Sequence, residues 1–169
     1  GNAYNWLDDY DKALYYLLRA SNSIGQLEDA DTKAKTFGSL AILYTKLKEY
    51  EKSITYFNEA LSIAKDGASP LVKAQIKKSL GNLYIDLTQY DKAIEVLNGA
   101  LLIAQASPME GQLAKIHQFL SDAYEKLGDH KNALEHFRKY FELEKLVTSE
   151  AVNLKTKALH IKYDLEELK

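Results

Sequence analysis

A recurrence every 40 residues constrains this chain more than any other feature of it. Tyr4, Tyr44, Tyr84 and Tyr124 follow at that spacing, and Leu40, Leu80 and Leu120 keep it just before Ala41, Gly81 and Ser121. The same offset links Tyr10, Tyr50, Tyr90 and His130; Ala13, Ser53, Ala93 and Ala133; Leu17, Phe57, Leu97 and Phe137; and Ala20, Ala60, Ala100 and Tyr140. Each column keeps its size class with few exceptions. Such self-similarity marks an array of like units, each too small to bury its own apolar face alone.

Within a unit, apolar residues fall three and four apart on two successive segments, one through Leu80-Gly81-Asn82-Leu83-Tyr84 and one opening at Tyr90-Asp91-Lys92-Ala93-Ile94. That is the stripe of an amphipathic helix, so each unit reads as a helical hairpin. Small residues at Ala41, Gly81, Ser121, Ala93 and Ala133 suit points where two helix backbones approach closely, with the tyrosines and Leu97 or Phe137 filling the space beside them. Gly128-Asp129 separates the helices of the last hairpin, and Lys48-Glu49 and Thr88-Gln89 do so with weaker stop signals. Ser69-Pro70 and Ser107-Pro108 read as a cap followed by a first turn.

With these residues in place, Leu80-Gly81-x-x-Tyr84, Tyr90-Asp91-x-Ala93-Ile94, Leu97 and Ala100 resemble the tetratricopeptide repeat, and Leu120-x-x-x-Tyr124, Gly128-Asp129, Ala133-Leu134 and Phe137 repeat the pattern. The resemblance implies an all-α, right-handed superhelix (a solenoid) of stacked hairpins with a C-terminal helix. Four repeats occupy 1–147, the first truncated, and a capping or linker helix occupies 148–169. The period exceeds the family's usual one of about 34 residues. The surplus falls around Gln26 to Lys35, Asp66 to Lys73 and Ala106 to Leu113, where it lengthens the helices. Ser53 and Tyr140 depart from columns that are otherwise alanine.

Gly1 falls in the column of Ala41, Gly81 and Ser121, and the only methionine is Met109, so the chain reads as a piece of a longer protein with an upstream neighbour. Thr148-Ser149-Glu150 offers a cap for a last helix, in which Leu154, Ala158, Ile161, Leu165 and Leu168 step by four and three, the seam spacing of a coiled coil. Two roles are open for it: capping the array, or leading into a following domain, with self-association through the seam. The run from Lys157 to Glu166 resembles the segment joining such repeats to diguanylate cyclase or histidine kinase modules of bacterial sensors.

Composition narrows the chemistry. Apolar residues make up 46% and charged residues 27%, the balance of a folded chain. The net charge of -2 supplies no positive field for a nucleic-acid backbone, and no apolar run is long enough to cross a bilayer. There is no cysteine, so thiolate chemistry is excluded while the compartment, cytoplasmic or periplasmic, stays open. His117, His130, His136 and His160 show no metal-ligand spacing, the glycines no phosphate-cradling cluster, and the carboxylates no assignable acid and base pair. His130, in a tyrosine column, is expected to pack between helices, and His117 and His160 to be solvent-facing or partly packed. No cofactor or metal is expected, and no enzyme.

Function is therefore expected on the inner wall of the array, which the first helix of each hairpin lines. Counting from the core tyrosines, the inward candidates are Asn2 and Asn5; Ile42, Thr45 and Lys46; Lys78, Asn82 and Ile85; and Gln118, Phe119, Asp122 and Glu125. Ile42, Ile85 and Phe119 could grip apolar side chains, while Lys78, Asn82 and Gln118 could hold a peptide backbone or a charged group. The resemblance also brings to mind the clamp by which co-chaperone members hold a terminal carboxylate. Lys78 and Asn82 match its first pair, but Phe119 and Leu159 stand where its other polar residues belong, so the clamp is broken. The expectation is a protein- or peptide-binding module, either the sensory or regulatory part of a bacterial signalling protein or a stand-alone scaffold without an output domain.

Overall fold

The computed structural model describes residues 2–23, 29–65, 67–106 and 110–146, with side chains from residue 9 onward. Among them the chain is all helix: α1 (Asn2–Ser23), α2 (Ala30–Lys46), α3 (Tyr50–Lys65), α4 (Pro70–Asp86), α5 (Tyr90–Gln105), α6 (Glu110–Leu127) and α7 (130–146), with no strand. Helices α2 to α6 are 16 to 18 residues long, so the surplus over the shorter repeat has indeed gone into helix. The final segment, 148–169, lies outside the described residues, as does Ser107-Pro108.

Three hairpins, α2–α3, α4–α5 and α6–α7, which are the second, third and fourth units of the repeat, turn the same way. Lys48, Thr88 and Gly128 all take positive φ, at 61°, 58° and 80°. Around each, the next N–H reaches back to the column tyrosine: Glu49 to Tyr44, Gln89 to Tyr84 and Asp129 to Tyr124. This is the Schellman end of a helix, whose left-handed residue is ordinarily glycine. Weak stop signals in two of the three turns thus hide identical geometry.

The small-against-large pairing is seen most directly at Gly81. A Cβ placed there would lie 2.5 Å from Cγ of Leu97, which is fully buried. The other two hairpins solve the same approach with a hydroxyl. In α2–α3, Ser53 Oγ donates to the carbonyl of Ala41 at 2.7 Å; in α6–α7, Ser121 Oγ donates to the carbonyl of Ala133 at 2.9 Å. Positions 41 and 121 share a column, as do 53 and 133, so the donor has changed sides while the contact is kept. Both hydroxyls are buried and satisfied, which removes the penalty of an orphaned polar group.

One core joins α2, α3 and α4 through Phe57, Val72, Leu80 and Leu83, and a second joins α5 and α6 through Leu97, Ile116 and Leu120; Tyr84 packs against both. Ser69 holds the cap position ahead of Pro70, but its hydroxyl does not cap α4. It donates instead to Asp31 at 2.7 Å, tying the start of α2 to the start of α4. That bond and the Ser69 N–H hold the Asp31 carboxyl below its usual range.

The columns that hold the turns at 47–49, 87–89 and 127–129 fall on 7–9 in the first unit, yet α1 runs unbroken from Asn2 to Ser23. A continuous helix keeps every internal hydrogen bond that a turn gives up, and only packing against a partner helix compensates for the turn. Two expectations are corrected: His130, expected between helices, is exposed at the start of α7, while His117, expected to be solvent-facing or partly packed, is 4% exposed.

Candidate peptide groove

The first helices of the hairpins stand side by side, α4 touching both α2 and α6. Their facing stripes build a groove from four repeated columns. On α2 these are Lys35, Ser39, Ile42 and Lys46, and on α4 they are Gln75, Ser79, Asn82 and Asp86, each 40 residues later. Steps of four, three and four keep such residues on one helix face. On α6 the first two columns are Lys115 and Phe119.

The wider part of the groove is a concavity of about 520 Å³ bounded by α2, α4 and α6. Its floor is apolar, with Phe57 and Leu83 each 1% exposed beneath Ile42 and Phe119. Its rim carries Lys46, Lys48, Lys78 and Lys115 against one carboxylate, Asp86. A shallower extension of about 130 Å³ between α2 and α4 shares Ile42, Phe57 and Ser79 and adds Lys35 and Gln75. The two ion pairs among the described residues, Lys52 with Glu49 and Lys139 with Glu135, both lie elsewhere.

Lys78 is half-buried; its Nζ donates to Gln112 Oε1 at 2.6 Å. Burial, and then the neighbouring Lys115, pull its ammonium below the usual lysine range. Lys115 in turn donates to Gln118 Oε1 at 2.8 Å and lies 5.2 Å from the Phe119 ring centroid. Burial, followed by the negative charge of Glu125, pushes the Asp122 carboxyl up. The groove thus gathers four lysines over an apolar floor, with Asp86 as the one carboxylate among its lining residues.

Six sequence-derived candidates meet around this concavity: Ile42, Thr45, Lys46, Lys78, Asn82 and Phe119. Thr45 is there with its hydroxyl already engaged, donating to the Ala41 carbonyl at 3.0 Å and lying 2.7 Å from Ser53 Oγ. Ile85 packs on the second core instead, and Gln118, Asp122 and Glu125 lie on α6 outside the concavity's wall. Asn2 and Asn5 belong to α1, but their side chains lie outside the described residues. Sequence reasoning missed Lys48, Ser79, Asp86 and Lys115. Three of the four were within reach, since one turn either way from Asn82 leads to Ser79 and Asp86, and one turn back from Phe119 leads to Lys115.

It also missed a histidine pair between α6 and α7, one ring buried and the other half-buried. His117 on α6 and His136 on α7 meet Nδ1 to Nδ1 at 2.8 Å, and His136 stacks on Tyr124 with ring centroids 5.5 Å apart. One ring must donate and the other accept, so the contact exists only while at least one Nδ1 is unprotonated. Burial, then the charges of His136 and Lys139, lower the His117 pKa to about 4; burial and Lys139 lower that of His136. Their columns hold Phe37 and Tyr56 in the second hairpin, which is the signal that places them inside. Among the described residues no cluster of three or more His, Asp or Glu could hold a metal ion, and no helix is long and apolar enough to cross a membrane.

An all-α array of hairpins with an inner groove is the architecture of a protein-binding repeat domain. The family model of the tetratricopeptide repeat matches residues 1–66 and 73–145, and the chain belongs to that family. Such domains are in general non-catalytic scaffolds for protein contacts. No curated protein matches the chain by sequence. Among solved structures it is similar to BtubC (BKLC) from P. vanneervenii, at 25% identity and a TM-score of 0.74 over 86% of this chain and 60% of that one. Aspartyl phosphate phosphatase F from Bacillus subtilis matches at 20% identity and TM-score 0.78, over 87% of this chain and 39% of that one. The apo form of RapI matches at 22% and 0.74, over 83% and 40%. The chain therefore spans between 39% and 60% of the length of these proteins, and the two less similar by sequence share its fold.

Proposed function

We propose that the array binds an extended acidic peptide segment in the groove between α2, α4 and α6, and that it forms the sensory or regulatory part of a larger bacterial signalling protein. The observation that carries the first half is the rim: four lysines face one aspartate above a floor of Ile42, Phe57, Leu83 and Phe119. Carboxylates of a partner placed between Lys78 and Lys115 would offset the burial and, after it, the Lys115 charge that depress the Lys78 ammonium, and apolar side chains between them would cover the floor. Asn82 offers an amide at mid-groove for the partner's backbone.

Panning a random peptide library on the purified chain tests this reading. Enriched sequences should alternate Asp or Glu with Leu, Ile or Phe; the paired variant Lys78→Glu/Lys115→Glu should turn that preference toward Lys and Arg, and Asn82→Ala should weaken binding without moving the melting temperature. Enrichment that ignores these variants places the binding surface elsewhere and overturns the proposal. The regulatory half is supported by the long repeat and by the wording of 157–166. An output domain encoded after Lys169 would bear it out, and a stop codon shortly after that residue would favour the stand-alone scaffold.

A further inference from the structure

The second and fourth hairpins fill the gap between their helices with paired rings. Phe37 meets Tyr56 with centroids 6.1 Å apart, and His117 meets His136 at 5.0 Å. In the third hairpin the same two columns carry Lys77 and Val96. A lysine stem is thinner than a ring and its ammonium stays with water where it can. Lys77 therefore leans toward α5, where Gly99 leaves it room: a Cβ built on Gly99 would lie 3.1 Å from its Nζ. Between α3, α4 and α5 this leaves a cavity of about 330 Å³, lined by Leu61, Ala64, Lys65, Lys73, Lys77 and Ile103 and sharing no residue with the groove.

Its chemistry is one-sided. Leu61, Ala64 and Ile103 supply apolar surface, three lysines complete the lining, and no carboxylate is among the lining residues. Helices α2, α3 and α5 open with Asp31, Glu51 and Asp91, which answer the positive end of the helix dipole; α4 has no acid in its first turn and follows with Lys73 and Lys77. Only Lys65, in the last turn of α3, is a cation that the dipole itself favours. Like charges gathered around an apolar patch are relieved when an anion sits among them and the rest of that ligand covers the patch. We infer that this cavity is a second binding site, for a small anionic amphiphile whose carboxylate or phosphate head is held by Lys65, Lys73 and Lys77 and whose short apolar body lies on Leu61, Ala64 and Ile103. The volume is of the size that such ligands occupy.

Titration of the whole chain, followed by backbone amide chemical shifts, tests the assignment with four probes: decanoate, decyl phosphate, decanol and inorganic phosphate. Decanoate or decyl phosphate should saturate, shift the amides of Gly99 and Ile103, and bind at least tenfold more tightly than decanol; whichever binds better identifies the head. Lys73→Gln/Lys77→Gln should weaken that binding tenfold or more, whereas Lys78→Gln, the next residue along but facing the groove, should leave it unchanged. Should the double variant lose its native spectrum, Lys65→Gln serves the same comparison. Equal binding of decanol, equal shifts with inorganic phosphate alone, absence of saturable binding by both charged amphiphiles, or indifference to the lysine variants would each overturn the inference.

Discussion

Phe57 and Phe137 occupy one column of the repeat, 80 residues apart, yet the first is 1% exposed and the second 50%. Leu97, between them in the same column, is fully buried. The difference is not in the residues. In an array each hairpin contacts only its neighbours, so a side chain's burial is set by whether another hairpin follows. Phe57 lies in the core that α4 completes, whereas Phe137 keeps company with Tyr140 on α7, beside exposed Leu134 and Phe141. Repetition in the sequence specifies which residues are large; position in the stack decides what their size is worth.

The comparison breaks most readily by truncation. Phe57→Ala should lower stability by about 3–5 kcal/mol, and Phe137→Ala by about 1–2 kcal/mol, read from urea denaturation of the two variants side by side. Equal losses would mean that α7 is covered as thoroughly as the middle of the array. The next largest effect is expected at the closest approach. Gly81→Leu must displace Leu97, which has nowhere to go, and should lose roughly 3 kcal/mol, with the third hairpin failing first in hydrogen exchange. If Gly81→Leu is as stable as the native chain, α4 and α5 are not held together as the geometry requires.

The second and fourth hairpins differ again where rings meet. Tyr44 stacks on Tyr56 at 5.2 Å, and Tyr124 stacks on His136 at 5.5 Å, so one aromatic arrangement is built once from two tyrosines and once from a tyrosine and a histidine. For His117 the folded-state pKa lies near 4, below its ordinary 6.5, so between those values the unfolded chain binds more protons. Stability should then be level above about pH 7 and fall as the pH drops from 6.5 toward 4, by on the order of 2–3 kcal/mol. A second proton on the pair would also set two N–H donors face to face. Glu135 opposes the shift, while Asp31 and Asp129, whose carboxyls are held low by hydrogen bonds, lose their contributions only at lower pH. Installing the second hairpin's residues, His117→Phe with His136→Tyr, should flatten the profile between pH 5 and 7 in urea midpoints. An unchanged profile would show that the pair is not what titrates.

How much of this was legible beforehand follows the same division. The columns, the helical hairpins and the tight contact at Gly81 could be read because they repeat in register. Half of the concavity's lining could be read too, since Ile42, Asn82 and Phe119 fall outside the core pattern, whereas Ile85 sits one residue, about 100° of helix, from the groove column at Asp86 and packs on the second core. The unbroken α1 was hidden, because whether a turn forms depends on a neighbour and not on the residues at the turn. The histidine pair was legible only by comparing columns, since nothing local to His117 or His136 announces a buried ring.

The turns offer the smallest and cleanest comparison. Lys48, Thr88 and Gly128 share one backbone conformation, but only glycine adopts it without a Cβ crowding the following carbonyl. Threonine, branched at Cβ, fares worst. Part of the relief on Thr88→Gly is offset by the extra freedom glycine gives the unfolded chain, leaving an expected gain of about 1 kcal/mol, with less for Lys48→Gly and a loss of about 1 kcal/mol for Gly128→Ala. Melting temperatures of the three variants should therefore rise, rise slightly and fall. A fall for Thr88→Gly would mean that the threonine makes a contact in the third hairpin worth more than the strain it carries, and the three turns would then be alike in backbone only.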